Sequence, residues 1–123
     1  MFKNKLKIEA VQGMDLFELS SRFTYITNLG DKIIVPRGFR TNFASIPSIL
    51  RWYCDDSHWT IRPGSVIHDY LYSAESAHLG FTRKQPDSVL LESMLGLGMR
   101  TTQAFVIYFT LRLFGAGHYE SRD

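Results

Sequence analysis

The sequence predicts an α+β protein: N-terminal antiparallel β-hairpins followed by three or four helices. Three observations carry this expectation. Up to Val35, short stretches alternate apolar and polar residues or are β-branched, as strands do. Beyond Ser45, apolar residues recur at helical spacing between start and stop signals. The two kinds of segment are segregated along the chain, which separates α+β from a βαβ alternation. With 123 residues, 45% hydrophobic and 21% charged, the chain reads as a single domain, 1–123, able to bury a core without staples.

The elements follow in order. Residues 2–8 set Phe2, Leu6 and Ile8 against Lys3, Lys5 and Lys7, the pattern of a short strand with one solvated face. After a turn at Gly13, Leu16 to Leu19 and Arg22 to Thr27 are the next extended segments. In the latter, Phe23, Tyr25 and Thr27 share one face. Asn28-Leu29-Gly30-Asp31 is turn chemistry, so Lys32 to Val35 should pair back as a hairpin. Val35-Pro36-Arg37-Gly38-Phe39 is a further turn. Ser45, with Pro47 behind it, predicts a helix to about Tyr53.

Residues 65–75 are expected as the central helix, with Pro63 and Gly64 at its entry and Ser65 as N-cap. Thr82-Arg83-Lys84-Gln85 fits a T-x-x-Q capping box for a helix to about Leu95, ended by Gly96 and Gly98. Thr101 or Thr102 starts a last helix to about Phe114. It is apolar on every side from Ala104 to Phe109. Burial all round is the first reading of such a helix, and a face turned to a partner chain or a lipid surface is the second.

Composition narrows the function classes. A net charge of +2 and a pI near 8.8 are too weakly basic to predict nucleic-acid binding. Cys54 is the single cysteine, which excludes an internal disulfide and a multi-cysteine zinc site. The first residues carry no long apolar run, so a signal peptide is not expected. The run Ala104 to Leu111 is too short for a transmembrane segment. P-loop, G-x-S-x-G, H-E-x-x-H and dinucleotide fingerprints are absent.

The groups capable of chemistry gather at Ser65-Val66-Ile67-His68-Asp69-Tyr70-Leu71-Tyr72. His68 and Tyr72, four apart, share a helical face that also holds Leu71. A neutral imidazole there can take a proton from water when a carboxylate fixes its tautomer; the alternative is a structural histidine. Asp87 precedes Leu90, Leu91 and Met94 on one apolar face. Turned inward, its carboxylate needs partners, and His68, Tyr72 and the arginines are the candidates. Near the first turn it could instead cap the helix in water.

Asp69 points away from the His68 face. With Asn42, Ser45 and backbone carbonyls it would supply oxygen ligands for a hard cation such as Ca²⁺. His58 with His68-Asp69 has the ligand types of a metal phosphohydrolase, but the further histidine and aspartate that such a site needs are not evident.

Four separated motifs carry a resemblance that covers the chain from about Tyr25 to Gly115. They are V-P-x-G-F-x-T-[D/N]-x-A-S-x-P from Val35 to Pro47, H-D-Y-L-Y from His68 to Tyr72, R-K-x-x-D from Arg83 to Asp87, and R-L-F-G from Arg112 to Gly115. Together they resemble a family of small uncharacterised proteins of tailed-phage genomes and prophages. That family often has aspartate where this chain has Asn42. The resemblance implies a phage origin and a place in the virion or the host cytoplasm.

A shorter pattern, His68-Asp69-x-x-Tyr72 with Asp87 on a following helix, is similar to the active site of secreted phospholipases A2, bacterial ones above all. It implies His68 as the base activating water, Asp69 as a Ca²⁺ ligand, Asp87 as the carboxylate orienting the imidazole, and Tyr72 as its hydrogen-bond partner. The cysteines that flank that motif and the Gly-rich calcium loop before it are missing here.

Two functions are therefore expected to compete. One is a non-enzymatic phage protein, a virion component or accessory factor binding a phage or host protein, with homo-oligomers also open. The other is a metal-assisted hydrolase of esters or phosphoesters. In the first, His68, Asp69, Tyr72 and Asp87 are a buried polar network. In the second, they are the site.

Overall fold

The computed structural model describes residues 1–42 and 58–119. The chain divides into two compact units, residues 1–42 and 43–123. The first holds the strands and the second the helices, so the α+β expectation holds. The helix expected from Ser45 to Tyr53 lies outside the described residues.

The first unit contains β1 (Ile8–Ala10), β2 (Phe17–Leu19), β3 (Phe23–Ile26), β4 (Lys32–Val35) and β5 (Arg40–Thr41). One antiparallel sheet has the order β1-β2-β5, and β3 and β4 form a second. In the hairpin, Phe23 pairs with Val35, Thr24 with Ile34, Tyr25 with Ile33 and Ile26 with Lys32. Thr27 N donates to Asp31 O at 2.9 Å around Gly30, which has φ +92°. A turn that ends in a left-handed residue needs glycine there. Phe23, Tyr25, Thr27, Ile33 and Val35 are all buried, as strand alternation requires.

The expected strand over 2–8 is not continuous. Its start pairs with β3, where Lys3 N donates to Thr24 O at 2.9 Å and Phe2 bridges Tyr25. Its end pairs with β2 in the other sheet. The alternation was real, but the segment changes partner midway. Phe2 stacks on Phe23 with ring centroids 5.2 Å apart. The two-residue β5 carried no strand signal; its pairing of Thr41 with Phe17 and of Arg40 with Glu18 defines it.

The second unit contains α1 (His58–Tyr72), α2 (Lys84–Gly96) and α3 (Thr101–Phe114), with 3-10 turns over Ala74–Leu79 and Gly115–His118. The expected start of α1 at Ser65 is wrong. Pro63 and Gly64 lie inside the helix, and the Ser65 hydroxyl donates back to Ile61 O at 2.8 Å instead of capping. Gly64 is buried where α1 meets α2: a Cβ on it would lie 2.2 Å from Ser93 Oγ and 2.9 Å from Leu90 Cδ1. The glycine is there for a close helix crossing, not for a turn.

Helix α2 begins with one half of the expected capping box, and no side chain caps it in the forward direction. Gln85 Oε1 accepts from Thr82 N at 2.8 Å, the backward half of a capping box. Its end is a Schellman turn: Met99 N donates to Met94 O at 3.0 Å and Gly98 N to Leu95 O at 3.1 Å, with Gly98 at φ +95°. Met94 and Met99 then pack with Ile61, Leu90, Ala104, Ile107 and Leu111 into the core that joins the three helices.

Candidate functional site

Three elements build the site. Near the end of α1, His68 and Tyr72 stand one turn apart with ring centroids at 4.1 Å. In the first turn of α2, Asp87 faces them. From the last turn of α3 comes Arg112. His68 Nε2 lies 2.7 Å from Asp87 Oδ1, and the Tyr72 hydroxyl donates to the same oxygen at 2.6 Å. Arg112 Nη1 donates to Oδ2 at 2.9 Å. Arg83 Nη1 stands 4.0 Å from Oδ2.

Both alternatives for Asp87 hold a part of the outcome. It is in the first turn, where the helix dipole favours an anion, yet it is 0% exposed and fully engaged by side chains. Burial by itself pushes the Asp87 carboxyl up. The hydrogen bonds from His68, Tyr72 and Arg112 outweigh it and hold the group below its ordinary value. The ionised carboxylate only accepts, so His68 Nε2 carries a proton directed at it. Burial pushes the Tyr72 hydroxyl far above the ordinary tyrosine value, and its bond to Asp87 and the charge there act the same way against Arg83.

Arg83 and Arg112 are the members that spacing did not single out as site residues. Arg83 Nη1 donates to Leu111 O at 3.2 Å, a carbonyl that also accepts from Gly115 N, and Nη2 donates to Arg112 O at 2.9 Å, so the guanidinium binds the last turn of α3. Their signal was present: Arg83 is four residues before Asp87, and Arg112 interrupts an apolar run. Tyr119 adds a lid of sorts, its ring edge-on to Tyr72 at 5.2 Å and its hydroxyl donating to Phe81 O at 3.0 Å.

The structure thus brings together His68, Tyr72 and Asp87 in the mutual geometry expected of a base, its orienting carboxylate and the tyrosine that holds it. It also leaves His68 at 0% exposure, so no ester can reach the imidazole in this conformation. Asp69 is half-buried on α1. Asn42 ends the other unit, and Ser45 lies outside the described residues. Among the described residues no three histidine, cysteine or acidic side chains converge to hold a metal ion.

The face of α3 differs from the first expectation for it. Ala104, Ile107 and Leu111 are buried, but Phe105, Val106, Phe109, Leu113 and Phe114 are 37%, 41%, 57%, 75% and 70% exposed. Burial all round does not hold: among the described residues, packing against α1 and α2 covers only the side of Ala104, Ile107 and Leu111. No helix among the described residues is long and apolar enough to cross a membrane.

Residues 17–111 match the model of a family described as a protein of unknown function (DUF1353). No curated protein and no solved structure matches the chain.

Proposed function

This chain belongs to the DUF1353 family, and we propose that it is a non-enzymatic protein of phage origin, a virion component or accessory factor. In this reading it binds a phage or host protein through the exposed face of α3, and the Asp87 network fixes the helices that present that face. The observation that carries the reading is the row Phe105, Phe109 and Leu113, which lies at helical spacing on the solvent side. The four ordered motifs support the phage origin. A protein occupant is favoured over lipid because α3 has no lysine or arginine between Thr101 and Leu111, whereas helices that lie on membranes carry a basic polar face.

The test is the protein content of purified phage particles made with the wild type, Phe109→Asp or Leu113→Asp. Incorporation of the wild type and its loss in folded variants is the expected result. Absence of the wild type from particles removes the virion role and leaves the accessory one, for which the same variants must lose binding to the partner.

One observation favours the hydrolase as a second reading: the His68–Asp87–Tyr72 geometry is that of an oriented general base. The sealed imidazole opposes it. Ca²⁺-dependent hydrolysis of an ester or phosphoester by the wild type, abolished in folded His68→Ala, would overturn the non-enzymatic reading.

A further inference from the structure

The strand unit carries a second surface, opposite its buried face. Strand alternation places Thr24 and Ile26 on the outer side of β3, and Lys32 and Ile34 on the outer side of β4, while Arg22 stands just before β3. Lys3 joins them through its backbone bond to Thr24. These residues line a cleft of about 470 Å³, within the size range of ligand sites. Its floor is Thr24, Ile26 and Ile34. The three cations stand around it, and no carboxylate among the described residues lines it. None of the three has an ion-pair partner among the described residues, whereas Arg40 pairs with Glu18, and Arg83 and Arg112 with Asp87.

Register gives the cleft a length. Lys32 is opposite Ile26, and Arg22 precedes Phe23 at the other end of the hairpin. Four residue steps separate the two rows, about 13 Å at roughly 3.3 Å per step. One phosphate or carboxylate cannot reach both ends, so the ligand must carry at least two anionic groups on an extended body. A peptide strand with carboxylates at positions i and i+4 and an apolar residue at i+2 repeats the same spacing on one face. Single-stranded nucleic acid fits less well: it calls for aromatic stacking platforms, and Phe23 and Tyr25 are buried on the other side.

We propose that the outer face of the β3–β4 hairpin is a docking cleft for an acidic, extended segment of a partner protein, with Arg22 and Lys32 reading the two carboxylates and Ile34 the residue between them. The cleft belongs to the strand unit, so it stands or falls separately from the α3 face.

The probe is the peptide Thr-Glu-Thr-Val-Thr-Glu-Thr, labelled and titrated against the full chain by fluorescence anisotropy. Saturable binding that weakens with salt is expected, with about tenfold or greater loss in Arg22→Glu and in Lys32→Glu, as for removal of a charge-assisted contact. Both side chains are exposed, so the variants keep the far-UV spectrum of the wild type. A peptide with glutamine for both glutamates should not bind. Equal affinity in folded Arg22→Glu and Lys32→Glu, no saturable binding by the wild type, or tighter binding of an oligothymidylate of similar length would each overturn the assignment.

Discussion

Arg112 Nη1 and Asp87 Oδ2 lie 2.9 Å apart, joining the last turn of α3 to the first turn of α2. The other oxygen of Asp87 holds His68 and Tyr72 of α1. One carboxylate therefore ties all three helices. Arg83 runs the reverse way, from the start of α2 to the terminal carbonyls of α3. Charge at both helix ends is matched in sign: the anion sits at an N-terminus, and cations sit at a C-terminus.

Removing Asp87 should cost more than removing any single donor. In Asp87→Ala, His68, Tyr72 and Arg112 all lose their acceptor inside the protein, and the expected loss is about 3–5 kcal/mol, the range for breaking a buried charge pair. Tyr72→Phe removes one hydrogen bond to a charged group and should cost about 1.5–3 kcal/mol. Urea unfolding followed by circular dichroism measures both. Equal costs for the two would show that the carboxylate is not the centre of the network.

The same network sets a pH window. Asp87 is held below its ordinary 3.8 in the folded state, so its stabilisation is complete above that value and disappears as pH falls through the folded one. Tyr72 is raised above its ordinary 10.0, so its contribution is complete below pH 10 and shrinks as pH rises beyond it. In acid, the stability gap between wild type and Asp87→Asn should close. In alkali, the wild type should lose stability that Tyr72→Phe retains. Urea midpoints at pH 3, 7 and 10.5 test both limbs (settings chosen around these ordinary values).

Gly64→Ala should destabilise although alanine is the better helix former by about 1 kcal/mol. The added methyl meets Ser93 Oγ and Leu90 Cδ1 well inside contact distance, and overpacking of this kind costs about 1–3 kcal/mol. Ser93→Ala removes the nearer atom, so the double variant should recover part of the loss. An additive result in the cycle would place the two residues out of contact.

The two sides of α3 should respond differently to loss of a large apolar side chain. Phe109→Ser and Leu113→Ser, on the exposed side, should leave unfolding free energy within about 0.5 kcal/mol. Leu111→Ala, fully buried, should cost about 2–5 kcal/mol. Similar losses on both sides would mean that the outer face is covered in solution.

Much of the secondary structure could be read from local signals. The hairpin of β3 and β4 follows from alternation around Asn28 to Asp31, and the start and end of α2 follow from Gln85 and Gly98. Those signals act over a few residues, and the structure uses them at short range. Signals whose meaning lies elsewhere in the fold misled. Pro63 and Gly64 looked like a helix entry, but Gly64 is small because Ser93 and Leu90 approach it. The alternation over 2–8 was continuous while its pairing was not.

The sequence by itself determined which residues were available to the site. Helical spacing put His68 and Tyr72 on one face, and an aspartate ahead of the apolar face of α2 demanded partners. Tertiary structure decided who those partners are and that His68, Tyr72 and Asp87 are sealed from water, because burial depends on what the other helices cover. It likewise decided which side of α3 stays exposed. A helix apolar all round has no amphipathic period to mark its core side, so only packing against α1 and α2 could choose Ala104, Ile107 and Leu111.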